Sequence, residues 1–116
     1  MKIIEYKNKI EYTLTNRISA ERNTNSETSQ GFVDGLTHIT KLAGKLLTDD
    51  EAKYGSELNV SEYNGLQVTL SKEFKSADNV CPENSRYAEG WKNAAAYAKA
   101  VCEAIFSGKR NFNKDI

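Results

Sequence analysis

In residues 2–14 the large apolar side chains fall into two β-rich runs, one on each side of Lys7, Asn8 and Lys9. That pattern predicts a β-hairpin. Beyond Ile18 the stretch 15–31 carries almost no large apolar residue and is crowded with Asn, Ser and Thr, which predicts a long mobile loop. Residues 32–47 place Phe32, Leu36, Ile39, Ala43 and Leu46 or Leu47 at three- and four-residue intervals, the stripe of an amphipathic helix. Within it, 36–41 is β-branched enough to pair as a strand instead. Thr48 with Glu51 three positions on reads as a capping box, with Asp49 and Asp50 in a first turn that complements the helix dipole. A short helical turn over 48–54, closed by Gly55, follows from it.

In 58–74, Leu58 and Val60 alternate towards Asn64-Gly65, and Leu66, Val68 and Leu70 alternate away from it, which predicts a second hairpin. A three-residue loop of Tyr63, Asn64 and Gly65 keeps the apolar faces together and asks for a positive φ at Gly65. A polar connection over 75–79 and a turn over 81–85 lead into the longest helix, 85–107. On it Tyr87, Trp91, Ala94, Ala95, Ala98, Val101, Cys102 and Ile105 share one face, and Gly108 ends it. The expected class is therefore α+β. A small antiparallel sheet of two hairpins packs with a long C-terminal Ala-rich helix and one or two shorter helices, in a single domain over 1–116 with a flexible tail at 109–116.

A chain of 116 residues holds one modest core. Sixteen Lys and Arg cancel sixteen Asp and Glu, so a general nucleic-acid binder, which needs a surplus of cations, is not expected. No apolar run approaches a membrane span and no tripartite leader opens the chain, so a cytoplasmic protein with no membrane partner is expected. Zero net charge leaves little repulsion between copies, and the narrow alanine-rich helix suits close packing on the sheet or on its twin in a homo-oligomer.

Catalytic stock is thin. His38, Cys81 and Cys102 lack the spacing of a metal site, no phosphate-loop motif is present, and Cys102 reads as a small buried hydrophobe on the helical stripe. Neither an enzyme nor a cofactor is expected. The candidate site for a charged small ligand is the opening of the last helix. There free N–H groups attract anions, Arg86 and Lys92 can pair with phosphate, and Tyr87 or Trp91 can stack on a base; the plainer reading, favoured for each aromatic alone, makes them core residues holding helix to sheet, with Arg86 and Lys92 on a solvated face.

The order Asn64-Gly65-Leu66-Gln67-Val68-Thr69, a Cys-Pro-Glu-Asn turn at 81–84, and Gly90-Trp91-Lys92-Asn93-Ala94 on an alanine-rich helix resembles small phage proteins of the gene-66 type over about residues 58 to 106. That group includes Thoeris anti-defence proteins, which sequester a cyclic ADP-ribose-type signal. The resemblance implies a sponge in the host bacterial cytosol that holds the nucleotide without cleaving it. By their own chemistry, and not by correspondence with the family, Arg86, Lys92 and Arg110 would meet phosphate or ribose in such a sponge, and Trp91 or Tyr97 would face the base. The competing class is a small inhibitor that binds a host defence protein, as anti-CRISPR proteins do, through the loop over 16–31 and the exposed hairpin edges.

Overall fold

The computed structural model describes residues 1–22, 24, 26–79 and 83–108. Four α-helices make up the fold: α1 (Ile3–Glu21), α2 (Glu27–Tyr54), α3 (Val60–Ser76) and α4 (Ser85–Phe106), with a 3-10 turn at Ala77–Asn79. The described residues contain no strand. Their only β feature is an isolated antiparallel bridge between Lys2 and Glu57, which straps the N-terminus to the α2–α3 connection together with Ile3 N–H to Ser56 C=O at 2.7 Å. The expected α+β class is thus overturned: the protein is a helical bundle.

Each miss has a physical cause. In α1 the buried residues are Ile3, Tyr6, Ile10, Thr13, Leu14 and Ile18, a three-and-four spacing that outweighs the β preference of Ile and Tyr. In α3, Val68 looked like the middle of an alternating strand, yet it lies 54% exposed while Leu66 and Leu70 are fully buried. Gly65 is helical, and positive φ among the described residues is confined to Gly55 and Gly108. The expected loop over 15–31 is mostly helix. Arg17 and Glu21 pair at 2.9 Å one turn apart at the end of α1, and Ser26 caps α2 by accepting the Ser29 N–H at 3.0 Å. Thr48 starts nothing: it lies inside α2, where its hydroxyl donates to the Gly44 carbonyl at 2.8 Å. Thr13, Thr37, Thr40 and Thr69 bond back one turn in the same way, which gives each hydroxyl a partner inside its helix. The proposed strand at 36–41 is likewise part of α2. Most of the expected 75–79 connection is the end of α3 and the 3-10 turn. The C-terminal helix ends at Phe106, one residue before its expected end, and its small residues Ala94, Ala95 and Ala98 are buried within the chain. The expected tail at 109–116 lies outside the described residues.

Successive helices run up and down. Arg17 reaches Phe32 across α1 and α2, His38 reaches Glu73 across α2 and α3, and Tyr63 stacks on Phe106 across α3 and α4. In such an order α2 and α4 run parallel, at opposite corners of a regular bundle. Here these two make the most intimate contact in the molecule, while α1 and α3 scarcely touch each other. Glycine is the reason. A Cβ on Gly31 would fall on the Tyr87 carbonyl. One on Gly90 would fall on the Thr28 carbonyl and within 2.6 Å of the Phe32 nitrogen. The diagonal pair closes, α1 and α3 flank it, and the molecule is only 18 Å thick along its thinnest axis. A single core of Tyr6, Ile10, Leu14, Leu36, Ile39, Leu47, Leu66, Leu70, Val101 and their neighbours fills the seams.

The start of α3 carries a charged cap. Glu62 is buried, and its carboxylate is held below the usual range first by the Ser61 hydroxyl, which donates at 2.9 Å, then by its own N–H and by Asn59. Facing it, burial raises the Asp50 carboxyl, and the charges of Glu62 and Asp49 raise it further.

Two measurements test this architecture. Gly90→Ala is expected to destabilise the chain by about 2 kcal/mol or more, because backbone and not a flexible side chain occupies the space its methyl needs. Gly65→Ala, which meets nothing within 4 Å, is expected to gain about 1 kcal/mol in denaturant unfolding; a loss there would contradict a helical Gly65. Glu62 has a lowered folded pKa. Its stabilising contribution is therefore complete above its ordinary value of 4.5 and disappears as pH falls through the folded value. Glu62→Gln is expected to remove that acid dependence and to lower the pKa of Asp50, both readable by carboxyl-detected NMR titration.

Candidate functional site

Five of the six expected binding residues sit on α4, and they face different surroundings. Tyr87 is half-buried, and its hydroxyl donates to Asp34 Oδ2 at 2.6 Å, linking α4 to α2. Trp91 lies against Gly35, with the His38 ring 5.7 Å and the Tyr87 ring 6.2 Å from it, so both aromatics serve the α2–α4 seam. Lys92 is paired with Asp78 at 2.9 Å. Tyr97 lies on another side, where the Arg17 guanidinium stands 5.1 Å from both the Tyr97 and Phe32 ring centres. Arg86 is exposed, and Arg110 lies outside the described residues. The opening of α4 is capped from within: the Asn84 side chain accepts the Tyr87 N–H at 3.1 Å. The structure therefore brings Tyr87 and Trp91 together and leaves Tyr97 apart from them.

Nucleophilic chemistry finds little support among the described residues. Cys102 is fully buried, and burial pushes its thiol up to about 12, against a small opposing pull from the Tyr6 hydroxyl. That hydroxyl donates to the Cys102 carbonyl at 2.8 Å and is itself pushed up, first by burial and then by Cys102. His38 Nε2 lies 3.5 Å from Glu73 Oε1. Cys81 lies outside the described residues. No group of three or more His, Cys, Asp or Glu among those residues could hold a metal ion, and no described helix is long and apolar enough to cross a membrane.

Sequence reasoning missed a broad depression on the surface, the α3/α4 groove of about 710 Å³. Tyr63, Gln67, Val68 and Ala100 line it, and Lys72, Lys75 and Lys99 stand around it. A second depression of about 310 Å³ adjoins it, lined by Ser71, Phe74 and Ala96 with Lys75 and Lys99 again. Among the described residues none of these three lysines makes an ion pair. Gln67 spends its amide nitrogen on the Lys99 carbonyl at 3.0 Å and the Tyr63 hydroxyl at 3.1 Å, and its buried Oε1 has no partner. Lys72 and Lys75 were assigned to a hairpin strand and a connection. On a helix they lie three positions apart and flank one side, a signal that helical periodicity over 60–76 would have exposed.

Comparison with protein-family models, curated proteins and solved structures finds no match to this chain.

The thiol assignment has a direct test. In Cys81→Ser, Cys102 is expected to stay unreactive towards a thiol-disulfide reagent in the native protein and to react once the chain is unfolded. Rapid native labelling would overturn its sealed position.

Proposed function

We propose that this chain is a non-catalytic binding protein that holds a negatively charged target on its α3/α4 groove. The observation that carries the reading is the set Lys72, Lys75 and Lys99, without a carboxylate partner among the described residues and gathered around one partly apolar depression. Charges left unpaired on a chain of zero net charge make a local field that attracts an anion without general nucleic-acid affinity. The sealed Cys102 thiol and the His38–Glu73 contact support holding in preference to turnover.

Sequestration of a nucleotide-derived signal is one form of this function. A depression of about 710 Å³ lies within the usual size of small-ligand sites, and the unpartnered Gln67 Oε1 could accept from a base amino group. In that form the phosphates meet the three lysines of the groove, and Trp91 keeps its place between the helices. Inhibition of a partner protein is the other form, favoured by the continuity of the two depressions along the helices.

Equilibrium dialysis against ADP-ribose and against poly-glutamate, with the recovered probe analysed for intactness, tests the shared claim. At least one probe is expected to bind, to return unchanged, and to weaken about tenfold or more in Lys72→Glu/Lys99→Glu and on raising salt. Absence of binding to both, indifference to the charge reversal, or appearance of product would each overturn it.

A further inference from the structure

We infer that the occupant of the α3/α4 groove is an acidic amphipathic helix of a partner protein, an inference that rests on the groove being the binding surface. The shape argues for a helix. The two depressions join through Ser71, Lys75 and Lys99 and follow α3 from Tyr63 to Lys75. At 1.5 Å per residue that is about 18 Å, or roughly three turns of a docked helix. A mononucleotide bound at the lysines would leave most of that length open.

The floor argues the same way. Val68 is 54% exposed and Phe74 41% exposed, two large apolar side chains along the groove side of α3, which also leaves Val60 exposed at its first turn. Opposite them α4 shows Ala96 and Ala100, both exposed in the middle of the helix. Small residues on one wall and large ones on the other let a third helix approach to the usual 8–10 Å or so between axes, its apolar side chains set between Val68 and Phe74. Such an occupant presents apolar residues at i, i+3 or i+4 and i+7.

Charge complementarity selects its polar flanks. Lys72 and Lys75 rim the α3 side, Lys99 rims the α4 side, and the neighbouring Lys92 is already neutralised by Asp78. Glu103 lines the opposite end, beside Tyr63 and Asn64. Carboxylates are therefore expected on both flanks of the incoming helix where it passes Phe74 and Ala96, and not where it passes Glu103. A phosphate ligand uses the lysines but gives Val68 and Phe74 no cover, whereas an acidic helix satisfies both.

The test is a display library of 18-residue helices with apolar residues at i, i+3/i+4 and i+7 and Asp or Glu at the flanking positions, selected against the whole chain. Helices from it are expected to enrich. Their binding should fall about tenfold or more in Val68→Asp and in Lys75→Glu/Lys99→Glu, both surface changes whose folding is checked by circular dichroism. A Glu5→Gln change on α1 should leave binding intact. If no helix enriches while ADP-ribose or poly-glutamate binds in a lysine-dependent way, the helix is overturned and the groove's binding role stands. If enriched helices ignore both groove variants, the inference is overturned as well. If no helix enriches and neither simple anion binds, both readings fall together.

Discussion

The fold depends on one close approach, the crossing of α2 over α4 at Gly31, Gly35 and Gly90. Backbone meets backbone there, with the Thr28 and Tyr87 carbonyls occupying the space that side chains would otherwise fill. Dispersion at such short separation, and the exclusion of water from both helices, compensates for the conformational freedom that glycine loses within a helix. The consequences reach the surface. Because the diagonal pair is in contact, α1 and α3 are held to either side of it, and α3 has a partner on one flank only. Its other flank, with Val68 and Phe74, meets solvent. The open groove is thus a by-product of the glycine crossing.

Aromatic and polar contacts then fix the register along that crossing. Trp91 fits over Gly35, and Tyr87, one turn earlier on α4, reaches Asp34, the residue before Gly35, so the residues once attractive as base-stacking platforms act as spacers and pins. On the far side, Arg17 between Phe32 and Tyr97 joins the end of α1 to both helices of the crossing, with Glu21 as counter-ion. Tyr6 closes the other end through the Cys102 carbonyl, an acceptor 96 residues away in the chain. The contact gives the hydroxyl of a fully buried tyrosine the acceptor that burial requires.

Only part of this was legible in the sequence. The alanine-rich stripe of α4 stood out because small helix formers and a 3.6-residue period agree. Elsewhere the two signals conflicted. Ile and Tyr in α1, and Val68 and Thr69 in α3, favour strands locally, while their neighbours Ile10, Leu14, Leu66 and Leu70 keep helical spacing, and burial followed the spacing. The Asn64-Gly65 pair is a strong turn signal in isolation, but it sits on the exposed side of α3, where its helix penalty of about 1 kcal/mol is small beside the burial of Leu66 and Leu70. Misplacing α3 also hid the groove, because Lys72, Lys75 and Lys99 converge only when both segments are helices lying antiparallel.

The distribution of charge follows from the same geometry. Where helices meet, cations are matched: Arg17 by Glu21 and Lys92 by Asp78. At the junction of α2 and α3 the acidic residues are matched by hydrogen bonds, with Glu62 held by Ser61 and Asn59. Along the open side of α3 and α4 the lysines have no carboxylate partner among the described residues. Exposed pairs contribute little to stability, so folding alone places weak demands on these positions. Three cations unpaired among the described residues stand around the surface where Val68 and Phe74 are also uncovered, with Glu103 as the one carboxylate in the lining of the larger depression, so apolar area is combined there with an excess of positive charge. A partner with both carboxylates and an apolar stripe recovers more from that combination than water and salt can.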